Sequence, residues 1–164
     1  MFEDFEGSNV YQVWTDGCCI PNPGPGGWGC VLRLNGQVVE ETCGGERRTT
    51  SNRMEMTAPL RGIDSALKLG AEKIHVFTDS QYLQKGAMSW CIKWHKKGWQ
   101  DKDGERKNAD LWREIHHRVH VRHPGLITFH WVKGHAGVFY NERADQLAEV
   151  GRLQQVRPGT RAAS

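Results

Sequence analysis

The sequence lacks the features that mark membrane and secreted proteins. Its 164 residues contain no run of about 18 consecutive apolar residues, which a membrane-spanning helix would need. The first nine residues, MFEDFEGSN, carry acids where a signal peptide has a basic and then an apolar region. We therefore expect a cytoplasmic protein that makes no contact with a membrane.

Cysteine is scarce and follows no pattern that would cross-link the chain. The number of cysteines is odd and none of them form a C-x-x-C pair, which argues against a disulfide framework and against a zinc site. Buried, reduced thiols are the simpler interpretation. The five cysteines are Cys18, Cys19, Cys30, Cys43 and Cys91.

Positive charge is in small excess, and that excess is local. The net charge of +3 is too weak to indicate nucleic-acid binding by itself. Residues 93–107, however, contain six bases and three acids, an excess equal to that of the whole chain. Trp90, Trp94 and Trp99 lie within or beside this segment, with a spacing that suits either a helix face or a nucleic-acid groove.

A globular α/β domain is what the remaining pattern predicts, since 38% of the residues are apolar and 25% are charged. Three strands come first, with Asn35-Gly36 as a hairpin turn between the second and third. Helices then alternate with two further strands, which indicates a mixed sheet with helices on both faces. The predicted strands are 10–16, 28–34, 37–43, 73–79 and 126–132; the predicted helices lie near 51–69, 80–99, 109–122 and 141–151.

Four acids stand at positions that such a fold could bring together. Asp16 and Asp79 each follow a threonine where a predicted strand ends, and parallel neighbouring strands would place them side by side. Glu55 borders the apolar stripe of the first helix. Asp145 shares a helix face with Asn141, four residues earlier.

Crowded carboxylates repel one another and resist ionisation, and hard divalent cations remove that conflict. Magnesium prefers oxygen ligands, and a pair of such ions can stabilise both the attacking and the leaving oxygen of a phosphoryl transfer. Each acid taken alone could instead be a turn residue, a helix cap or an exposed charge.

Several longer motifs resemble type 1 ribonuclease H of the bacterial, single-domain kind. In family order they are TDGCCIPNPGPGGWG, TTSNRMEM, TDSQYL, WCIKWHKKGW, KNADLW, WVKGHAG and NERADQLA. The resemblance implies a five-stranded mixed sheet, with an antiparallel meander and parallel strands, flanked by helices on both faces. It implies a catalytic domain at residues 10–151, between a flexible segment 1–9 and a flexible tail 152–164.

The same resemblance implies an endonuclease that hydrolyses the RNA strand of an RNA–DNA hybrid and leaves 5′-phosphate and 3′-hydroxyl ends. The expected cofactor is Mg²⁺, two ions per active site with substrate, with Mn²⁺ as a substitute. We expect a monomer without an obligate protein partner. The alternatives are a hybrid-binding module without catalysis, which the four acids argue against, and a related nuclease or transferase acting on another substrate.

Catalytic roles carry over through the motifs. Asp16 is expected to bridge both metals, and Glu55 to bind metal near the RNA 2′-hydroxyl. Asp79 would bind metal near the attacking water, and Asp145 would bind the second metal. His135, between Gly134 and Gly137, would assist proton transfer or product departure, and histidine titrates in the range this requires.

Substrate contacts carry over less directly. Trp90 is expected to face the DNA strand and Trp94 to be mainly packing, while Thr50 resembles a phosphate-pocket residue but could equally cap a helix. Ser51 stands where the family often has asparagine. Pro59 lacks the N–H that would bond the Glu55 carbonyl, so we expect a local bend or a freed carbonyl there. The predicted substrate-binding residues are Asn22, Thr50, Ser51, Asn52, Gln81, Trp90, Lys96, Lys97 and Asn141.

Overall fold

The structure is a computed structural model that describes residues 7–135 and 137–156. Its main sheet has five strands in the order β3-β2-β1-β4-β7. The strands are β1 (Val10–Cys19), β2 (Gly24–Leu34), β3 (Gln37–Thr49), β4 (Lys73–Thr78) and β7 (Ile127–Trp131), and a small separate hairpin consists of β5 (Gln100–Asp101) and β6 (Gly104–Glu105). The helices are α1 (Ser51–Lys68), α2 (Gln81–Lys85), α3 (Cys91–Lys96), α4 (Ala109–His116) and α5 (Phe139–Gln155).

The mixed sheet predicted from the sequence is confirmed. β1, β2 and β3 form an antiparallel meander, whereas β4 pairs parallel to β1 and β7 pairs parallel to β4. Asn35 and Gly36 both have positive φ, at 51° and 80°, which is the backbone that a two-residue hairpin turn of the I′ type requires. The parallel pair β1–β4 brings the ends of the first and fourth strands together.

Helices cover both faces of the sheet. On one face α1 lies across β1 and β2, and the larger core forms there around Val13, Ile63 and Trp112, each with no exposed surface. On the other face α5 covers β1, β2 and β3 over a smaller cluster that includes Trp14 and Phe77, whose rings stack at 4.2 Å. The sheet is therefore held between two layers, each of which carries one catalytic candidate.

Glycines let α5 approach the sheet more closely than side chains would allow. A Cβ on Gly29 would lie 2.5 Å from the Ala144 carbonyl oxygen and 2.6 Å from the Leu147 Cβ. A Cβ on Gly45 would lie 2.8 Å from the Gly151 carbonyl oxygen. We call these positions the glycine seam: Gly27, Gly29 and Gly45 on the sheet, and Gly151 on α5, which lies against the main chain of Gly44.

Element boundaries differ from the predictions in several places. β2 begins four residues earlier than predicted, β3 extends six residues further to Thr49, and α5 begins at Phe139 and ends at Gln155. The hairpin β5–β6 was not predicted, because two-residue strands leave no periodic signal. Two π-helical turns, Gly86–Trp90 and His117–Arg122, interrupt the helical segments that the sequence predicted as regular.

The predicted flexible ends can be compared with the structure only in part. Residues 1–6 and 157–164 lie outside the described residues. Residues 152–155 belong to α5 and are helical, so this part of the predicted tail is corrected. In the part of the chain that the structure covers, every helix is too short or too polar to cross a bilayer.

Pro59 lies inside an unbroken helix. Helix α1 continues from Ser51 to Lys68, and Pro59 is buried within it. The expected local bend of the helix axis stays a prediction. Proline still provides no N–H for the Glu55 carbonyl, so that part of the hypothesis follows from covalent chemistry alone.

Replacing Gly29 with alanine should loosen α5 from the sheet. The added methyl overlaps the α5 backbone, and overpacking of this kind typically costs about 1–3 kcal/mol. Urea unfolding followed by circular dichroism measures the change in the free energy of unfolding. The control is Val39→Ala at a half-exposed site on β3, which should change it by less than about 0.5 kcal/mol. An equally small change for Gly29→Ala would contradict the glycine seam.

Candidate active site

Asp16 lies where the two sides of β1 behave differently. The parallel pairing of β1 with β4 ends at Trp14–Phe77. The antiparallel pairing of β1 with β2 continues through Asp16–Gly29 to Cys19. The expectation that the strand ends at Asp16 is therefore wrong: only the β4 side ends there. The Thr15 hydroxyl donates to the Phe77 carbonyl at 3.0 Å and ties the two strands together just before the acid. Asp16 is buried, with 4% of its surface exposed.

Asp79 and Glu55 come to Asp16 from the neighbouring elements. Asp79 directly follows β4, and the β1–β4 register places it beside Asp16, as predicted. Glu55 projects from the second turn of α1. Gly17, next to Asp16, lies directly against the Glu55 backbone, where any Cβ would overlap the helix. Carboxylate oxygens of the three acids lie within 4.8 Å of one another.

Burial and mutual repulsion hold the pKa values of these acids high. Burial, followed by the charge of Asp79, raises the pKa of Asp16 to about 7. Burial, followed by the charges of Asp16 and Asp79, raises the pKa of Glu55 well above its usual range. Burial also raises the pKa of Asp79, and the nearby His135 opposes that rise. A cation shared by these three acids would offset their repulsion and favour their ionised forms.

One oxygen of Glu55 tests whether the residues suit a cation. Its Oε2 atom is buried and has no hydrogen-bond partner among the residues that the structure describes. Buried polar atoms are nearly always paired. A buried, unpaired oxygen on a carboxylate that lies beside two further carboxylates fits a hard metal ion, for which oxygen is the preferred ligand.

Asp145 lies close to this group but not inside it. It interacts with Asp16 and its charge raises the pKa of Asp79, so the fourth predicted acid does reach the site. Its carboxylate does not belong to the tight group of three. Because Asp145 is carried by α5, its distance from the other acids depends on how closely α5 packs on the sheet.

His135 lies on the exposed loop between β7 and α5, with a positive φ of 55°. Its influence on the pKa of Asp79 places it on the Asp79 side of the cluster. Gly134 fits directly against Asp79: a Cβ there would lie 2.6 Å from the Asp79 Oδ2 atom. The small residue before His135 therefore allows the loop to contact the acid.

Three predicted substrate residues meet at the start of α1. The Thr50 hydroxyl accepts the Arg53 N–H at 3.2 Å, which confirms the helix-cap alternative for Thr50. The Asn22 Oδ1 atom accepts the Ser51 N–H at 3.3 Å, so Asn22 is tied to this helix end. Asn52, one residue further, is exposed.

A basic cavity beside this helix end was missed from the sequence. It has a volume of about 280 Å³ and is lined by Pro23, Gly24, Pro25, Arg47 and Arg48. The arginine pair directly before Thr49-Thr50 was the signal that could have revealed it. Exposed guanidinium groups of this kind are suited to phosphate oxygens.

The remaining predicted contacts differ in exposure. Gln81 begins α2 and is exposed, as are Lys96 and Lys97. Asn141 is buried with 3% of its surface exposed, and its Oδ1 atom lacks a hydrogen-bond partner within the described ranges. Asn141 therefore has little surface to offer a large substrate.

The tryptophans of the basic segment separate into surface and packing residues. Trp90 is 37% exposed. Trp94 packs edge-on against Trp112 at 5.1 Å and carries the Arg106 guanidinium on its face at 4.3 Å. Trp99 is buried. The expected division between Trp90 and Trp94 agrees with this packing.

Comparison with known proteins decides the family. The RNase H family model matches residues 8–152. The chain belongs to the RNase H family. Ribonuclease H of Pseudomonas putida (strain W619) is 48% identical over 151 residues, which cover 92% of this chain and 97% of that protein. This chain is accordingly a ribonuclease H.

Solved RNase H structures share the fold. LC9-RNase H1, a type 1 RNase H with the type 2 active-site motif, matches with a TM-score of 0.77 and 29% identity, over 91% of this chain and 74% of that one. LC11-RNase H1, solved in complex with an RNA/DNA hybrid, matches with a TM-score of 0.68 over 90% and 99% of the two chains. At 20% identity the second comparison shows the RNase H fold alone.

Replacing Asp16 with asparagine should stabilise the metal-free RNase H at alkaline pH. Native Asp16 keeps its proton up to about pH 7, whereas the unfolded side chain loses it near 3.8. The stability that this raised pKa contributes at low pH is therefore lost as the pH rises from about 4 to 7. Asparagine avoids that loss, so the variant should gain about 1–4 kcal/mol at pH 8 and almost nothing at pH 4.

Urea unfolding in EDTA at both pH values measures this difference. Asp110→Asn provides a control of opposite sign, since Arg53 lowers the pKa of Asp110 and that substitution should destabilise the protein at neutral pH. Added Mg²⁺ should reduce the advantage of Asp16→Asn by stabilising the wild type. An Asp16→Asn variant that is less stable than wild type in EDTA at pH 8 would show that the acids do not repel one another.

Proposed function

We propose that this ribonuclease H hydrolyses the RNA strand of RNA–DNA hybrids with divalent metal ions and leaves 5′-phosphate and 3′-hydroxyl ends. The observation that carries the proposal is the convergence of Asp16, Glu55 and Asp79 within 4.8 Å, with one Glu55 oxygen buried and unpaired among the described residues. A carboxylate group of this kind is suited to Mg²⁺, with Mn²⁺ as a substitute.

Asp16, Glu55, Asp79 and Asp145 would hold two ions in the presence of substrate. When bound, such ions stabilise the charge on the attacking and leaving oxygens of a phosphodiester. Asp16 interacts with both Asp79 and Asp145, so its carboxylate would contribute to the binding of both ions.

Asp79 and His135 would accept and transfer the proton of the attacking water. Asp79 has His135 as a neighbour. A water molecule between Asp79 and His135 would lie within reach of both side chains. His135 is exposed, so its imidazole would be placed to pass a proton between the site and the solvent. Its loop position leaves it free to accompany the departing product.

Exposed polar groups around the four acids would contact the substrate. A nuclease that separates RNA from DNA on one strand must recognise the 2′-hydroxyl. Glu55 and the exposed side chains of Asn22, Asn52 and Gln81 are candidates for that recognition. The cavity beside Arg47 and Arg48 would receive a backbone phosphate.

Trp90, Lys96 and Lys97 would grip the DNA strand. Lysines neutralise phosphates in a salt-dependent manner, and the exposed Trp90 ring offers a flat apolar surface to the sugars. We further propose that residues 10–151 form the catalytic domain, and that the protein acts as a cytoplasmic monomer without an obligate partner.

Matched RNA–DNA, RNA–RNA and DNA–DNA duplexes test the activity. With Mg²⁺ we expect cleavage of RNA in the hybrid alone, visible as fragments on a denaturing gel, and no cleavage in EDTA. Asp79→Asn should lower the rate by at least about 100-fold, because it removes an acid that binds metal beside the reacting water.

Two outcomes would overturn the proposal. Equal cleavage of all three duplexes would remove the hybrid specificity, and tight hybrid binding without cleavage at any Mg²⁺ or Mn²⁺ concentration would favour a binding module. A matched control is Asp64→Asn, an acid on the outer face of α1 that pairs with Arg118. It should leave the rate unchanged.

The salt dependence of hybrid binding tests the lysines. Each phosphate contact contributes roughly one unit to the slope of log K against log salt, so Lys96→Ala with Lys97→Ala should reduce the slope by about 1–2. Binding is measured by fluorescence anisotropy in EDTA, which prevents cleavage. Lys68→Ala, an exposed lysine at the end of α1, should leave the slope as it is. An unchanged slope in the double variant would show that Lys96 and Lys97 do not contact the phosphates of the substrate.

A further inference from the structure

Asp79 lies just beyond the end of the ladder between β4 and β7. The β4–β7 ladder ends at the pair Thr78–Trp131. The last main-chain bond across it is donated by the Val132 N–H to the Thr78 carbonyl, at 2.8 Å. The next carbonyl, that of Asp79, lies beyond the ladder, where no strand continues on the β7 side.

The side chain of Trp131, the last residue of β7, reaches this carbonyl. Its indole N–H donates to the Asp79 carbonyl at 3.0 Å. The Ser80 N–H, which belongs to the same peptide group as this carbonyl, donates to the Thr78 hydroxyl at 3.1 Å. Together with the bond from the Val132 N–H to the Thr78 carbonyl, these contacts hold the peptide groups on both sides of Asp79.

The segment after β7 also meets the carboxylate itself. Gly134, three residues after Trp131, fits against the Asp79 carboxylate so closely that a Cβ would lie 2.6 Å from Oδ2. Trp131 and Gly134 therefore contact Asp79 from one short stretch of chain, at its carbonyl and at its carboxylate. Trp131 remains 44% exposed, so core packing does not account for its place here.

We propose that Trp131 is a positioning residue for Asp79: its indole N–H fixes the backbone from which Asp79 presents its carboxylate to a metal ion. This inference rests on the proposed function, since it assigns Trp131 to the metal site. A ligand whose backbone is fixed loses less conformational freedom when it binds. Removal of the N–H should therefore weaken metal binding more than it weakens the fold.

Trp131→Phe keeps an aromatic ring and removes the N–H, and Trp131→Tyr serves as a second variant with the same deletion. Isothermal titration of the metal-free proteins with Mg²⁺ and Mn²⁺, without nucleic acid, measures the affinity directly. Since one hydrogen bond is at stake, we expect the affinity to fall by about three- to tenfold in both variants.

Tyr82→Phe is the matched control. It deletes the partner of another indole hydrogen bond, between the Trp112 N–H and the Tyr82 hydroxyl at 3.1 Å, at a place that the metal site does not use. This variant should lose thermal stability and keep the metal affinity of the wild type. Thermal unfolding of all variants in EDTA shows whether loss of stability and loss of affinity go together.

The outcomes separate this inference from the function on which it rests. Wild-type metal affinity in Trp131→Phe and Trp131→Tyr would overturn the positioning role and leave the metal site intact. A similar loss of affinity in Tyr82→Phe would also overturn it, because the effect would then be general destabilisation. Failure of the wild type itself to bind Mg²⁺ or Mn²⁺ would instead contradict the proposed function.

Discussion

The fold has to hold three carboxylates close together although they repel one another, and the rest of the structure meets this constraint. Asp16, Glu55 and Asp79 lie within 4.8 Å of one another, and both burial and charge oppose their ionisation. A hydrogen bond between the Asp16 and Glu55 side chains offsets part of this opposition. The group is otherwise held by elements that fold for other reasons: the β1–β4 ladder, the contact of Gly17 with α1, and the packing of α5 on the sheet. The cores on the two faces supply the free energy that the acids oppose.

The sequence was most informative where one periodic signal or motif determines a structure by itself. The order of strands and helices, the Asn35-Gly36 turn and the proximity of Asp16 to Asp79 all followed from the pattern of apolar residues and turn residues. The continuation of β1 to Cys19 did not follow, because pairing with β2 carries it through a segment whose glycines and cysteines lack strand propensity. Tertiary pairing decided that boundary.

Side-chain roles were harder to predict than elements. Thr50 could be a cap or a phosphate contact, and only the distance to the Arg53 N–H identified the cap. The cavity beside Arg47 and Arg48 and the bond from Trp131 to Asp79 depend on residues distant in sequence, so local pattern could not reveal them. The four acids were found because they occur in motifs that resemble a known family; spacing alone left each of them ambiguous.

The glycine seam has a consequence for how this enzyme can vary. Where two layers meet through side chains, their separation can drift as larger and smaller residues replace one another over generations. Here main-chain atoms of α5 and the sheet meet directly, so the separation is already at its lower limit and any side chain added at these glycines would increase it. The distance from Asp145 to the other acids is therefore preserved only while these positions stay glycine, whereas the exposed surfaces around it remain open to change.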